Sequence, residues 1–250
     1  MSSGNIDAAA EAFGAAAGDY ERARPSYPAE AIALLQRELG IRAGARVCDL
    51  AAGTGKLTRL LVSTGADVVA VEPVAGMREQ LAQVLPDVEV LDGTAEAIPL
   101  DAESVDAVTV AQAFHWFRFE EALAEIRRVL RPGGGVAILF NERDERVDWV
   151  REWNERIEWH QRRIAYYQRT DWSSVLGDGG FADVGRTSVE WVQPMTKELT
   201  AARVRSVSYV AELAPVEQQS YVDRVLALVA DFDEPFDLPY VTHVYWAKRT

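Results

Sequence analysis

Residues 47–55 read Val47-Cys48-Asp49-Leu50-Ala51-Ala52-Gly53-Thr54-Gly55, and this run passes from an apolar strand into a turn of small residues. Small residues let a backbone approach a ligand closely, and the first amides of a following helix have no partner within that helix. The next apolar run ends in Glu72, 23 residues after Asp49. In an open α/β sheet this spacing brings a carboxylate beside the first turn, where it can accept hydrogen bonds from ribose hydroxyls.

Helix-type and strand-type patterns alternate on both sides of this turn. Helices are predicted over 28–40, 56–63, 76–85 and 119–130, and strands over 45–50, 67–72, 88–91, 105–111 and 135–140. Strands that are apolar almost throughout and are separated by helices indicate a parallel sheet covered on both faces. We therefore predict an α/β fold: a doubly wound, mostly parallel, seven-stranded sheet with helical insertions in the C-terminal half.

The pattern changes after Asn141. One long aromatic-rich helix is predicted over 147–168, strands over 181–192 and 238–248, and helices over 196–213 and 216–230 with a break at Ala214-Pro215. Two late strands joined by a long connection indicate a sheet edge closed by a strand pair that carries a helical insertion.

The composition argues against several classes of function. Acidic residues number 39 and basic residues 26, so the formal net charge is −13. Such an excess repels a phosphate backbone, and we expect no nucleic-acid partner. The single cysteine, Cys48, fits a reducing compartment, and no His, Cys and Asp cluster has metal-ligand spacing. Because residues 1–20 lack a secretory signal pattern and no apolar run approaches the ~18 residues that span a bilayer, we expect a cytoplasmic protein without a membrane partner.

Two phosphate-binding alternatives fit the turn poorly. A P-loop needs Ser or Thr directly after Gly-Lys, whereas Leu57 follows Gly55-Lys56. A dinucleotide fold needs a third glycine where Thr58 stands, and Asp49 before the turn would repel a pyrophosphate. An acid before the turn and a second acid after the next strand suit a nucleoside that carries a cationic amino acid, as S-adenosylmethionine does.

Five segments that follow one another in the chain share a common pattern. They are Asp49-Leu50-Ala51-Ala52-Gly53-Thr54-Gly55, Val71-Glu72-Pro73, Gly93-Thr94-Ala95-Glu96-Ala97-Ile98-Pro99, Ala111-Gln112-Ala113-Phe114-His115-Trp116-Phe117 and Leu130-Arg131-Pro132-Gly133-Gly134. In this order they resemble the class I S-adenosylmethionine-dependent methyltransferases, and more narrowly the small-molecule branch that includes trans-aconitate methyltransferase. The resemblance covers residues 13–141 well and the remainder loosely. It departs at Ala51, which replaces a glycine and for which we expect a negative φ, and at Thr94, where many relatives have Asp.

The resemblance implies a Rossmann-like methyltransferase fold with S-adenosyl-L-methionine as cofactor. It implies three parts of the chain: a cofactor lid and first helix (1–40), an S-adenosylmethionine-binding core (41–141), and substrate-cap helices with a closing strand pair of the same domain (142–250). The implied cofactor contacts are Tyr20, Arg24, Asp49, Ala51, Ala52, Gly53, Thr54, Gly55, Glu72, Pro73, Met77, Thr94, Ala95, Glu96, Ala111 and Gln112. Glu72 would hold the ribose. Met77 would lie against the adenine or pack in the core, and Arg24 would pair with the cofactor carboxylate or lie at the surface.

Candidates for acceptor chemistry lie after the fourth strand and in the long helix. His115 follows that strand at the ligand-binding edge of the sheet, and it is the candidate base or a wall of the pocket. The candidate substrate contacts are Trp116, Trp149 and Trp153. Trp149 and Trp153 form an aromatic stripe on the predicted long helix, and such a stripe is also typical of a hydrophobic core. We predict methyl transfer to a carboxyl, hydroxyl or carbon of a small metabolite or natural product.

Two alternatives to this function stay open. One is a non-catalytic S-adenosylmethionine-binding or assembly module with the same fold, because fold does not establish activity. The other is a tRNA or rRNA methyltransferase, which the net charge of −13 disfavours.

Overall fold

The computed structural model describes residues 24–162 and 170–250, and these contain a seven-stranded sheet. The strands are β1 (Arg46–Leu50), β2 (Asp67–Val71), β3 (Glu89–Leu91), β4 (Val105–Ala111), β5 (Leu130–Arg143), β6 (Ala182–Met195) and β7 (Phe236–Lys248). Their order is β3-β2-β1-β4-β5-β7-β6, and the pairs β2–β3, β1–β2, β1–β4 and β4–β5 are parallel. The predicted α/β fold is confirmed, as a mixed sheet with helices. Because the strand order reverses between β1 and β4, a ligand crevice is expected at their carboxyl ends.

The helices of the described ranges follow the predicted pattern with some exceptions. They are α1 (Ala29–Leu39), α2 (Thr58–Val62), α3 (Ala75–Val84), α4 (Phe119–Val129), α5 (Asp148–Arg156), α6 (Trp159–Arg162), α7 (Trp172–Asp178), α8 (Lys197–Arg205), α9 (Ser208–Ala211) and α10 (Pro215–Leu228), with a 3₁₀ turn at Phe114–Trp116. The first helix shows how the sequence sets its ends: Pro28 precedes it, and Gly40 ends it in the left-handed conformation, with φ 70°. None of the helices in the described ranges has the length and apolar character needed to cross a membrane.

The contacts divide the chain into two compact units, each with its own core. The sheet unit comprises the described parts of 26–141, 168–189 and 242–250, and the helical unit comprises the described parts of 1–25, 142–167 and 190–241. In the sheet unit, α1 and α2 bury Leu35 and Leu61 against strand residues such as Val47. In the helical unit, Trp153, Val225 and other apolar side chains form the core. Burying each such side chain contributes about 1.5–3 kcal/mol, so both cores stabilise their units strongly.

The predicted single helix over 147–168 is wrong. Helix α5 ends at Arg156, Glu158 adopts a positive φ of 56°, and α6 begins at Trp159. The carbonyl of Ile157 accepts a hydrogen bond from the Tyr209 hydroxyl instead of continuing a helical ladder. A contact between residues distant in sequence therefore ends this helix, and no local signal announces it.

Three further elements differ from prediction. Residues 131–134, which lie before the strand predicted over 135–140, belong to β5, because Gly133 donates to the Arg249 carbonyl and Arg249 donates to the Gly134 carbonyl. The helix predicted over 196–213 is divided into α8 and α9 around Ser206, and the sequence analysis missed α7 altogether. The predicted break at Ala214-Pro215 is confirmed, with Pro215 as the first residue of α10.

Candidate active site

The turn after β1 has a strained backbone. Ala51, Gly53 and Gly55 all have positive φ, at 55°, 59° and 87°. The expected negative φ at Ala51 is wrong, since this alanine adopts a conformation that favours glycine. Gln112, directly after β4, also has a positive φ, 62°. Strained non-glycine residues are frequent at functional sites. Of the five non-glycine residues with positive φ in the described ranges, Ala51 and Gln112 follow the two strands that border the expected crevice.

Glu72 connects the end of β2 to this turn. One carboxylate oxygen accepts the Gly53 amide at 2.8 Å, and the other accepts the Val74 amide at 2.9 Å. The Gly53 amide is therefore engaged within the protein by this carboxylate. Burial raises the pKa of Glu72, and the two amides and the charge of Arg78 oppose that shift. Each carboxylate oxygen keeps acceptor capacity for a ribose hydroxyl.

Asp49 lies inside the sheet unit, where its carboxylate accepts hydrogen bonds from two threonine hydroxyls. Thr58 of α2 donates to one oxygen at 2.6 Å, and Thr109, its register partner on β4, donates to the other at 2.9 Å. Burial raises the pKa of Asp49 to about 6, against the effect of both hydroxyls and with a further upward contribution from Glu72. The carboxylate thus ties β1, β4 and α2 together below the turn. Its interaction with a ligand ammonium stays a prediction.

Replacing Asp49 by Asn is expected to change how the stability of the ligand-free protein depends on pH. The pKa of Asp49 is about 6 in the folded state, against an ordinary value of 3.8. The free energy of unfolding that the protonated carboxyl contributes is therefore present below pH 3.8, is lost as the pH rises from there through about 6, and stays lost above it. Between about pH 5 and about pH 7.5, Asp49→Asn should gain about 1 kcal/mol relative to the wild type. Urea unfolding of both proteins measures this. The matched control is Asp67→Asn, because Asp67 is exposed at the start of β2. Parallel curves for Asp49→Asn and the wild type would contradict the assignment.

Replacing Ala51 by Gly is expected to stabilise the ligand-free protein by about 0.5–1 kcal/mol. Relief of the left-handed alanine outweighs the larger entropy of glycine in the unfolded chain. The matched control is Ala52→Gly, because Ala52 has no positive φ and should lose about 0.5–1 kcal/mol. Urea unfolding at neutral pH compares the three proteins, and a destabilised Ala51→Gly would show that the backbone there is not strained.

The loop after β3 carries three of the predicted cofactor contacts, which are Thr94, Ala95 and Glu96. Gly93 has no room for a side chain, since a Cβ atom there would lie 2.4 Å from Cδ of Pro99. Thr94 is exposed and Ala95 is buried, while the Glu96 carboxylate accepts the Arg118 amide at 2.9 Å. This loop is therefore held close to the sheet.

Pro73 and Met77, two further predicted cofactor contacts, follow β2 in the chain. Met77 on α3 is 6% exposed, and a Cβ atom at Gly53 would lie 3.8 Å from its sulfur. Arg78 donates to the carbonyls of Glu72 and Pro73 and to Asp92, which fixes the chain after β2. The sequence analysis missed Arg78, Thr58 and Thr109, whose roles depend on the register of strands and helices.

His115 lies in the 3₁₀ turn after β4, among aromatic rings. Its ring centre is 4.9 Å from that of Trp116 and 6.0 Å from that of Phe140. Beneath it, Phe114 is fully buried and packs edge-on against Trp172 of α7, a residue that the sequence analysis missed. This packing fixes the turn at the carboxyl end of β4.

Gln112 provides a test of whether the crevice suits a bound group. Its side-chain Nε2 is buried and has no hydrogen-bond partner among the described residues. A buried amide donor without a partner is costly unless a ligand or water accepts from it. The donors and acceptors here suit a nucleoside with an amino-acid tail, and the described residues contain no group of three or more His, Cys, Asp and Glu side chains that could hold a metal ion.

Other predicted site residues lie elsewhere or are not described. Tyr20 lies outside the described residues. Arg24 donates to the Ser206 carbonyl within the helical unit. Trp153 is fully buried in the core of that unit, and Trp149 packs edge-on against Phe232 and Phe236, which favours the core alternative for this pair over a substrate cap.

Comparison with known proteins places this architecture in a family. A family model described as a methyltransferase domain matches residues 48–138. An uncharacterized methyltransferase of Mycobacterium tuberculosis is 44% identical over 235 residues, which is 92% of each chain. The chain belongs to the class I S-adenosylmethionine-dependent methyltransferases. The cofactor of this methyltransferase is accordingly S-adenosyl-L-methionine, and a methyl acceptor is its second substrate.

Two further proteins are similar to this methyltransferase, one in part of its sequence and one in its fold. The malonyl-[acyl-carrier protein] O-methyltransferase of Methylococcus capsulatus is 39% identical over 141 residues, 50% of this chain and 48% of that one. A crystal structure of a protein assigned as a methyltransferase of an antibiotic biosynthesis pathway from Anabaena variabilis superposes with a TM-score of 0.64 at 21% identity, over 89% of this chain and 98% of that one. The second likeness shows a shared fold.

Proposed function

We propose that this methyltransferase transfers the methyl group of S-adenosylmethionine to a small organic acceptor, at a carboxyl, hydroxyl or carbon atom. The main support for cofactor binding is the buried Glu72 carboxylate. It accepts an amide of the turn after β1, beside the point where the strand order reverses. The resemblance to the trans-aconitate methyltransferase branch and the net charge of −13 favour a small acceptor over RNA. The similarity to a malonyl-[acyl-carrier protein] O-methyltransferase supports a carboxyl oxygen as the methylated atom.

In this proposal the chain's own residues bind, orient and exclude water. The bound cofactor supplies an electrophilic methyl group on a sulfonium, and its thioether leaves uncharged. Glu72 accepts from the ribose hydroxyls, the Gln112 amide donates to the ligand, and the loop from Thr94 to Glu96 contacts the adenine. Holding donor and acceptor in line accounts for much of the rate enhancement, because an ordered encounter replaces a random one.

His115 lines the acceptor side in this proposal. A carboxylate acceptor is already nucleophilic and needs no base, whereas a hydroxyl or carbon acid needs one within hydrogen-bond reach. The aromatic rings of Trp116 and Phe140 border the imidazole, and they suit an acceptor with an apolar or unsaturated skeleton.

An assay of S-adenosylhomocysteine release tests this function. The protein is incubated with S-adenosylmethionine and, one at a time, with small acids, alcohols and phenols. We expect one chemical class to raise the release well above the rate without acceptor, and transfer RNA to leave it unchanged. Cofactor binding without acceptor-dependent release would instead support the non-catalytic module, and stimulation by RNA alone would support the RNA methyltransferase.

A further inference from the structure

Strand β6 is the last strand of the sheet in the described ranges, where only β7 lies beside it. It runs over 14 residues, Ala182–Met195, whereas strands in globular proteins usually have about 3–10 residues. The outer edge of an end strand presents a row of backbone N–H and C=O groups, and a strand of another chain can pair with them. The length of this edge makes it a candidate interaction surface.

The middle of β6 lacks the features that commonly keep an edge strand from pairing. Proteins protect such edges with lysine, with proline or with an irregular backbone. Asp183 has a positive φ of 49° near one end of β6, and Pro194, which has no N–H group, lies near the other. Residues 184–192 between them contain neither lysine nor proline, and none of them has a positive φ. We call residues 184–192 the pairing segment.

One face of the pairing segment is exposed along its whole length. Alternate residues of a strand share a face, and the five residues of this face that are all exposed are Val184, Arg186, Ser188, Glu190 and Val192. The two valines are among the four large apolar side chains that are exposed in the described ranges. Single exposed apolar residues are ordinary, so the argument rests on how these five are arranged.

The exposed face is complementary to itself when two copies run antiparallel. A two-fold axis at Ser188 places Arg186 opposite Glu190 of the second copy, and it places Val184 opposite Val192 of the second copy. Opposite charges and apolar side chains that face each other directly both stabilise an antiparallel pair. An axis at Arg186 or at Glu190 would instead set like charges directly opposite each other, which is destabilising. The sequence of this face therefore favours one register.

The present contacts of these side chains are compatible with that register. Arg186 makes no hydrogen bond or ion pair among the described residues. Glu190 pairs with the exposed Arg146 at 2.7 Å, and a carboxylate has acceptor capacity for a second guanidinium. The hydroxyl of Ser188 hydrogen-bonds to the ring of His243 on β7 at 2.8 Å, so a small and already oriented side chain stands at the axis.

We propose that the pairing segment is a contact between two copies of this chain, in which the two β6 edges pair as antiparallel strands about a two-fold axis at Ser188. The pairing joins two sheets into one continuous sheet. Because exposed ion pairs contribute little by themselves, backbone hydrogen bonds supply most of the affinity. The two Arg186–Glu190 pairs and the two Val184–Val192 pairs select the register. The proposal does not depend on the methyl-transfer chemistry proposed above.

Disulfide cross-linking of the full chain tests the register. Ser188→Cys places a thiol opposite its own copy, within the Cα separation of about 4.4–6.8 Å that a disulfide needs, so oxidised glutathione should give a covalent dimer. Val184→Cys and Val192→Cys should each stay uncross-linked alone, and an equimolar mixture of the two should cross-link. The wild type is the control, because its single cysteine, Cys48, is fully buried and should give no covalent dimer.

Sedimentation under reducing conditions measures the affinity of the dimer. We expect the wild type to dimerise with a dissociation constant of about 1–100 µM. Arg186→Glu should weaken dimerisation at least tenfold, because it sets two pairs of like charges across the axis. The matched control is Arg118→Glu, since Arg118 lies in an exposed ion pair with Glu121 next to α4, and this variant should dimerise as the wild type does.

A mixture of two variants separates a direct charge pair from a general loss of folding. Arg186→Glu and Glu190→Arg each repel their own copies, whereas a dimer of one with the other has opposite charges at both pairs. Because Glu190→Arg also loses the contact with Arg146, the mixture is compared with each variant alone. We expect the mixture to associate at least tenfold more tightly than either variant.

Four results would each overturn the proposal. The first is a wild type that remains monomeric up to about 500 µM. The second is a dimer that Ser188→Cys does not cross-link, because the contact would then lie elsewhere. The third is cross-linking of Val184→Cys or Val192→Cys alone as efficiently as Ser188→Cys, which would exclude the proposed register. The fourth is a mixture of Arg186→Glu and Glu190→Arg that associates no better than its components.

Discussion

Glu72→Ala is expected to weaken the binding of S-adenosylhomocysteine at least ~100-fold. Each ribose hydrogen bond to a charged acceptor contributes about 1.5–3 kcal/mol, and the proposed site loses two of them. Since every 1.4 kcal/mol is a tenfold change in affinity, two such bonds correspond to at least ~100-fold. Calorimetric titration of the variant and the wild type measures the difference.

The same substitution should also lower stability, because Glu72 accepts the Gly53 and Val74 amides. Leaving such amides unpaired costs about 1–3 kcal/mol each where they are buried, so binding is compared well below the unfolding transition. The matched control is Asp106→Ala. Asp106 also accepts a backbone amide, that of Arg46 at 2.8 Å, and pairs with Arg131 at the opposite end of the strands. Asp106→Ala should lose stability and keep its affinity for S-adenosylhomocysteine, and equal affinity in Glu72→Ala would refute the ribose assignment.

His115→Ala is expected to lower kcat by about 100-fold if the acceptor is a hydroxyl or a carbon acid, with less than a twofold effect on the dissociation constant of S-adenosylhomocysteine. A positioned general base contributes about 10²–10⁴-fold, and the cofactor contacts proposed here do not include the imidazole. Steady-state kinetics with the acceptor found in the panel provide the measurement. The wild type should lose activity towards acidic pH as the base is protonated, and His115→Ala should lack that limb.

His243→Ala serves as the control for this prediction. His243 lies on β7 and its ring hydrogen-bonds to Ser188 at 2.8 Å, so its loss should leave kcat unchanged. Nearly full activity in His115→Ala, with an unaltered pH profile, would make His115 a wall of the pocket. A carboxylate acceptor predicts that outcome, and the kinetics therefore also report on the chemistry of the acceptor.

The sequence predicted the parallel part of the sheet well because its signals are local. β1, β2 and β4 are short apolar runs bounded by polar or glycine-containing turns, and the structure places them within one residue of prediction at each end. Burial on both faces demands a continuous apolar pattern, and that pattern is visible in a single segment. Helix α1 was equally predictable, since Pro28 and Gly40 bound it.

The errors occur where distant residues determine the backbone. Gly133 and Gly134 suggest a turn, but pairing with Arg249, more than a hundred residues later, extends β5 through them. The break at Ile157 depends on the hydroxyl of Tyr209, and no pattern within the segment reveals that contact. Tertiary contacts such as these override local propensity.

The candidate site was predictable in its residue types and less so in its geometry. The positions of Asp49 and Glu72 follow from the strand ends, whereas their hydrogen bonds to Thr58, Thr109 and the Gly53 amide depend on register and on the path of the turn. The positive φ of Ala51 was missed because an alanine usually signals an ordinary conformation.

The most direct test is whether the crevice at β1, β2 and β4 binds an adenosyl amino acid. Calorimetric titration of the full chain with S-adenosylhomocysteine measures this, and a dinucleotide such as NAD serves as the comparator. We predict one molecule of S-adenosylhomocysteine bound per chain and no measurable binding of the dinucleotide. Absence of heat with S-adenosylhomocysteine, or preferential binding of the dinucleotide, would contradict this assignment of the crevice.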